Sequence, residues 1–211
     1  MLTLFLARHG QTSHSRENAL CGALDVPLTP EGARMAEALA EEYSHLPFKA
    51  VYASPMIRAV ATAKPLADRL KLTVQTDPGL VEIHYGEWED KAEDEVAKEH
   101  PERFKAWGDH PDVVGPPGGE TGYQIAARAT AAIDRIRTQV GDGHVMVVSH
   151  KATLRILTCH LLGIPIGEFR RRIAMPVCAV TAFELKSTGP LLKYLGSVSH
   201  LPEDLRAARG T

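Results

Sequence analysis

The segment Arg8-His9-Gly10-Gln11-Thr12 follows an apolar run from Leu2 to Leu6. An apolar run that stops at a basic, glycine-softened turn reads as a buried strand delivering an imidazole to the sheet edge where α/β folds gather ligands. The neighbouring guanidinium is shaped to grip a phosphate. Together they point to phosphoryl chemistry.

Three further segments carry matching groups. Ser54-Pro55-Met56-Ile57-Arg58-Ala59 puts Arg58 on the first turn of a helix that starts directly after a strand. Leu80-Val81-Glu82-Ile83-His84-Tyr85-Gly86-Glu87-Trp88-Glu89 concentrates carboxylates, a histidine and two aromatics. Val147-Val148-Ser149-His150 is a second apolar strand with a histidine at its end. Three of the four segments sit at strand ends, so topology alone lets them converge.

The elements that must position these groups follow from periodicity and punctuation. Strands are expected over residues 2–7, 50–53, 72–75, 144–149, 177–185 and 191–195. Thr29-Pro30-Glu31 opens a helix, with Thr29 as N-cap, Pro30 at the first helical position, and Ala33, Ala36, Leu39 and Ala40 as its apolar stripe. A second helix runs from Ser54-Pro55 to about residue 70 with Ile57, Ala61 and Leu66 facing inward. Residues 91–107 carry a polar, heavily charged helical pattern expected of a solvated, lid-like element, and residues 111–119 form a Pro/Gly-rich loop. Helices over 121–140 and 152–162 complete an alternation of strands and helices that predicts an α/β fold with a largely parallel central sheet.

Composition bounds the rest. The chain has 211 residues, 44% of them hydrophobic, with no linker-like stretch, so a single domain over 1–211 is expected, with a charged tail after about 200 that is expected to be mobile. A formal net charge of −2 with interspersed signs argues against a nucleic-acid or membrane partner and makes any anion site local. The apolar stretch before Arg8 is too short for a signal peptide or membrane span, which leads us to expect a soluble, cytoplasmic protein. Cys21, Cys159 and Cys178 have no CxxC spacing and read as small buried side chains, while His100, His110 and His144 read as surface residues.

With Asp25-Val26-Pro27-Leu28-Thr29 up to Gly32, and Pro117-Gly118-Gly119-Glu120-Thr121, the four segments resemble the ordered motifs of the histidine phosphatase superfamily, also called phosphoglycerate mutase-like, over residues 4 to about 155. The resemblance implies a three-layer α/β/α sandwich. It implies that His9 is the nucleophile, that Arg8, Arg58 and His150 surround the phosphate, and that Glu82 is the general acid. It also implies no metal and no cofactor; substrate or phosphate contacts are expected from Gln11, Thr12, Ser15 and Tyr85, and from Lys151 by its place at the start of a helix. The physics agrees: a neutral imidazole can attack phosphorus, two displacements replace one difficult hydrolysis, and fixed cations hold the charge of the equatorial oxygens.

Two departures matter. Many relatives carry Asn where this chain has Ser15, and two glycines where it has Lys151-Ala152, so a cation stands at a helix entrance that already favours anions. The Glu82-Ile83-His84-Tyr85-Gly86 block resembles the mutases', although Ile83 replaces their usual Arg. The stretch from Gly86 to Pro117 is short and lacks the mutases' basic insert, and Glu87-Trp88-Glu89 resembles the phosphatase branch. The expected activity is therefore hydrolysis of a small phosphomonoester through a phosphohistidine. The alternatives are a cofactor-dependent phosphoglycerate mutase and a catalytically weak relative that binds phosphorylated ligands.

Overall fold

In the computed structural model, which describes residues 1–207, the elements follow in the order β1 (Leu2–Arg8), α1 (Ser13–Glu17), α2 (Pro30–Tyr43), β2 (Phe48–Ala53), α3 (Ile57–Leu70) and β3 (Val74–Thr76). After two 3₁₀ turns, Pro78–Leu80 and Gly86–Trp88, come α4 (Glu93–Glu99), α5 (Pro101–Asp109), α6 (Gly122–Val140), β4 (Gly143–Ser149) and α7 (Lys151–Leu162). A third turn, Ile166–Glu168, leads into α8 (Phe169–Arg172), β5 (Val180–Lys186), β6 (Gly189–Ser197) and α9 (Glu203–Arg206).

The sheet has the order β3-β2-β4-β1-β5-β6. β1, β2, β3 and β4 run parallel, while β5 returns antiparallel to β1 and pairs with β6. Strand alternation separates the two faces. Leu2, Leu4, Leu6, Val145 and Val147 pack against residues of α6 and α7, whereas Phe5, Ala7, Met146 and Val148 pack against α2 and α3. This is the expected α/β/α sandwich with a largely parallel sheet. Parallel pairing brings Arg8 opposite Ser149 and Ala53 opposite Val148, so the ends of β1, β2 and β4 share one edge.

The caps form as expected. The Thr29 hydroxyl accepts from the amide of Gly32 at 3.0 Å with Pro30 in the first turn, and Thr121 and Gln124 make a reciprocal capping box at the start of α6.

Several expectations are corrected by tertiary packing. On α3 the buried face carries Arg58, Ala59, Thr62, Ala63, Leu66 and Ala67, whereas Ile57 is 48% exposed and Ala61 half-buried. Arg58 and Thr62 turn inward because partners await them there, which an apolar stripe does not reveal. The charged stretch over 91–107 is two helices broken at His100-Pro101, and it is not simply solvated. Its Val96 and Trp107 are buried with Leu20 and Trp88 in a small core of their own. His144 is half-buried with its ring against Phe5 and Phe48, and His100 stacks on Trp88. The tail expected to be mobile is docked through Leu201 and Leu205, both 2% exposed, and by an Arg34–Asp204 ion pair at 2.8 Å. Residues 208–211 lie outside the described residues. Among the described residues no helix is long and apolar enough to cross a membrane.

Because Leu201 is buried against the α2–α3 face, Leu201→Ala should lower unfolding stability by about 2–5 kcal/mol, measured by urea denaturation. A tail that packs nowhere would leave the midpoint within about 0.5 kcal/mol of wild type.

Candidate active site

β1 ends at Arg8, and the next residue, His9, is held by backbone on both sides. Its amide donates to the Ser149 carbonyl at 2.9 Å, and its carbonyl accepts from the Cys178 amide at 3.1 Å. The chain then turns against the start of α2 so closely that a Cβ on Gly10 would lie 2.5 Å from the Gly32 carbonyl oxygen, and one on Gly32 would lie 2.1 Å from that of Gln11. Both positions therefore require glycine.

His9 is 4% exposed. Burial, reinforced by Arg8 and Arg58, holds its pKa well below the ordinary 6.5, so the ring is neutral at neutral pH. Its Nδ1 lies 2.8 Å from the Gly10 carbonyl oxygen. A carbonyl only accepts, so Nδ1 carries the proton and the lone pair is left on Nε2. His150, at the end of β4, lies beside it with ring centroids 5.1 Å apart. Arg58 Nε donates to His150 Nδ1 at 3.2 Å, which puts the remaining proton of the neutral ring on Nε2. That Nε2 is buried and has no hydrogen-bond partner among the described residues. Burial, followed by Arg58 and His9, also depresses the His150 pKa well below 6.5.

The two arginines are anchored rather than free to swing. Arg8 donates to the Met175 carbonyl at 2.7 Å, and burial pushes its pKa down to about 10. Arg58 donates to the carbonyls of Leu24 at 2.6 Å and Gly22 at 2.9 Å, which ties the loop before α2 to the site. Glu82 is 9% exposed and meets the first turn of α7: its carboxylate oxygens accept from the amides of Ile83 at 2.9 Å and of Ala152 and Thr153 at 3.3 Å. Arg128 holds the backbone beneath it by donating to the Glu82 carbonyl at 3.0 Å and the Val81 carbonyl at 2.7 Å.

Arg8, His9, Arg58 and Glu82 open into one cavity of about 500 Å³, also lined by Thr12, Ser15, Tyr85 and Lys151. Its size is that of a small-molecule pocket. Of the residues given a site role from sequence, His150 and Gln11 do not line it. His150 is fully buried beside His9, whereas Gln11 lies behind the turn, where its Oε1 takes the Thr29 hydroxyl at 2.9 Å. Thr12 and Ser15 lie at the wall but are joined in the capping box of α1, so each hydroxyl already has a local partner. Burial pushes the Lys151 pKa down to about 8, with Arg8 and Arg155 adding to the effect.

Glu120, the carboxylate of the Pro117-to-Thr121 motif, is engaged outside the cavity. Its carboxylate takes two hydrogen bonds from Arg128 at 2.8 and 2.9 Å. Burial, the largest single influence, would raise its pKa, but the bonds and charge of Arg128 together with the amide and charge of His84 bring it below its ordinary value. Among the cavity-lining residues that sequence reasoning missed are Trp107, Arg155 and Arg170. Arg155 had a signal, since it falls one turn after Lys151 on the same face of α7. Trp107 and Arg170 had none. Among the described residues no three His, Cys, Asp or Glu side chains gather as a metal site would need.

Two histidines kept neutral in the fold bear on stability. Below pH 6.5 an unfolded chain takes up protons that folded His9 and His150 refuse, so stability falls as pH drops. Each contributes a slope of about 1.4 kcal/mol per pH unit until its folded pKa is reached. His9→Asn should flatten the pH 6-to-5 slope by that amount in urea titrations. An unchanged slope would mean that His9 ionises in the fold as it does in water.

The model of the Histidine phosphatase superfamily (branch 1) matches residues 4–197. The chain is 31% identical over 169 residues to Phosphoserine phosphatase 1 of Hydrogenobacter thermophilus, covering 80% of each. It is 28% identical over 206 residues, 95% of each, to a Yersinia pestis protein named "Probable phosphoglycerate mutase GpmB". Among solved structures, Bacillus stearothermophilus YhfR superposes with a TM-score of 0.88 at 29% identity, covering 95% of this chain and 99% of that one. With its histidine pair at the sheet edge and a family match spanning most of its length, the chain belongs to the histidine phosphatase superfamily, branch 1.

Proposed function

We propose that the chain hydrolyses small phosphomonoesters by way of a phosphohistidine on His9. It is a phosphomonoester hydrolase of the family just named, and the observation that carries the residue assignment is the tautomer of His9. The neutral ring donates Nδ1–H to Gly10 and so keeps its Nε2 lone pair for phosphorus. Attack there forms the N–P bond and breaks the P–O bond to the leaving alkoxide, which takes a proton from Glu82. In the second displacement Glu82 accepts a proton from water, whose oxygen replaces Nε2 on phosphorus.

Arg8, Arg58 and the unpartnered Nε2–H of His150 serve the three equatorial oxygens. The carboxylate of Glu82, held on the first turn of α7, is steered without leaving the cavity wall. Thr12, Ser15 and Tyr85 are wall contacts in this scheme, and Gln11 positions the turn. Free, buried Cys159 and Cys178 support a cytoplasmic setting for an enzyme acting in one domain.

Hydrolysis is preferred over mutase transfer because the lid over the cavity brings Glu93, Asp94 and Trp107 from α4 and α5, and no basic residue. The elements by which a mutase encloses a bisphosphorylated acid bring no cation into the cavity here, and the further cations of the cavity lie on α7 and α8 instead. The phosphatase relative is the one at 31% identity, and its name supports the same reading.

His9→Ala should abolish turnover while leaving the fold intact. Glu82→Gln should slow hydrolysis of alkyl phosphates by about 100- to 10,000-fold and of p-nitrophenyl phosphate far less, since a good leaving group hardly needs protonation. Equal losses on both substrates would move the acid role to another group. Supplied with 3-phosphoglycerate and its bisphosphate, the protein should release phosphate faster than it forms 2-phosphoglycerate, and the reverse ratio would assign it to the mutases.

A further inference from the structure

Beyond the phosphate cradle the cavity has a second cationic wall. Lys151 and Arg155 lie one turn apart on α7, which places them on the same face with Cα atoms about 6 Å apart along the axis. Arg170 of α8 joins them in the lining. Its guanidinium lies 3.8 Å above the centre of the Trp107 ring and is held by Glu93 at 3.3 Å, so it is fixed in place before any ligand arrives.

Arg155 differs. It makes no hydrogen bond and no ion pair among the described residues, and its Nε is buried without a partner. A guanidinium carries five N–H donors, and leaving one dry and unmatched is costly. Burial lowers its pKa most and the like charge of Arg170 lowers it further, while Tyr85, Glu82 and Glu93 offset only part of this without bonding to it. None of the lining carboxylates bonds to Arg155: Glu82 is taken by the amides of Ile83, Ala152 and Thr153, Glu93 by Arg170, and Glu17 and Asp94 are exposed.

We propose that Arg155 and Arg170, with Lys151, form a second oxyanion subsite that selects phosphomonoesters carrying a carboxylate or a second phosphate. The proposal rests on the phosphatase reading for the position of the first phosphate, and it adds the determinant of substrate class. The planar fork of Arg155 suits bidentate capture of an oxyanion, and the stacked Arg170 presents a second donor edge at no cost in side-chain freedom. The subsite lies along α7, away from His9, so it binds the part of the substrate that does not react.

Matched ligands test this by binding, independently of turnover. In His9→Ala protein, titration calorimetry is run with 3-phosphoglycerate against glycerol 3-phosphate, which differs only in bearing a hydroxymethyl group in place of the carboxylate. Fructose 1,6-bisphosphate against fructose 6-phosphate forms the second pair. In at least one pair the anionic member should bind about tenfold tighter or more, the order of one charge-assisted contact, and the pair in which this occurs tells carboxylate from phosphate. Adding Arg155→Gln should bring that ratio toward one, Arg155→Lys should restore part of it, and exposed Arg171→Gln should leave it unchanged. Thermal unfolding verifies that each variant is folded, and Arg170→Gln gives a second reading of the same ratio. Equal affinities within both pairs would overturn the subsite, as would an Arg155→Gln loss that is the same for both members. Turnover of p-nitrophenyl phosphate by the unmutated protein is measured separately. Its absence would remove the phosphatase reading, while a selective binding ratio would leave the subsite standing.

Discussion

The parallel pairing of β1 with β4 is the constraint on which the site depends. Backbone hydrogen bonding sets Arg8 opposite Ser149, and the next residue on each strand is a histidine. A slip of one residue would turn the alternating side chains of both strands to the wrong faces, so burial on the two sides of the sheet enforces the register. Core packing far from any ligand thus holds two imidazole rings 5.1 Å apart. Neither histidine needs a dedicated support to find the other.

Around that pair the charge is arranged ahead of need. Arg8 and Arg58 are tied to backbone carbonyls, His9 and His150 are kept neutral by burial and by those same cations, and Glu82 rests on the first turn of α7. The arrangement costs stability, because the Arg8 and Arg58 charges repel one another and His150 keeps a dry Nε2–H. In the proposed reaction a doubly negative phosphate would relieve that cost, and the charge developed during transfer would meet donors that need no reorganisation. The same reasoning extends along α7, where Arg155 at the cavity wall, like His150 behind it, keeps a buried nitrogen without a partner among the described residues.

The lid shows how tertiary context changes the meaning of a charged sequence. The exposed faces of α4 and α5 account for the high charge of residues 91–107, yet Val96 and Trp107 pin the lid to Trp88 and Leu20. Trp107 does two jobs there, closing this small core and carrying the guanidinium of Arg170 on its ring. A polar pattern predicts solvation of a helix. It does not reveal the one aromatic per turn that decides where the helix docks.

The sequence by itself determined the order of the strands and main helices, the largely parallel sheet, and the polar residues Arg8, His9, Arg58 and Glu82 that meet in one cavity. Those features are local: strand ends are marked by apolar runs that stop at polar residues, caps by Thr29-Pro30 and Thr121, and close approaches by Gly10 and Gly32. Only the tertiary structure decided which way each polar side chain turned. Gln11 faces Thr29 instead of the cavity, Glu120 is taken by Arg128, Arg58 and Thr62 replace Ile57 on the buried face of α3, and the tail docks through Leu201 and Leu205. Arg155 and Arg170 reach one cavity from two helices for the same reason. Periodicity records which residues are apolar, whereas the destination of a buried polar group depends on partners distant in sequence that only the assembled fold brings within hydrogen-bonding reach.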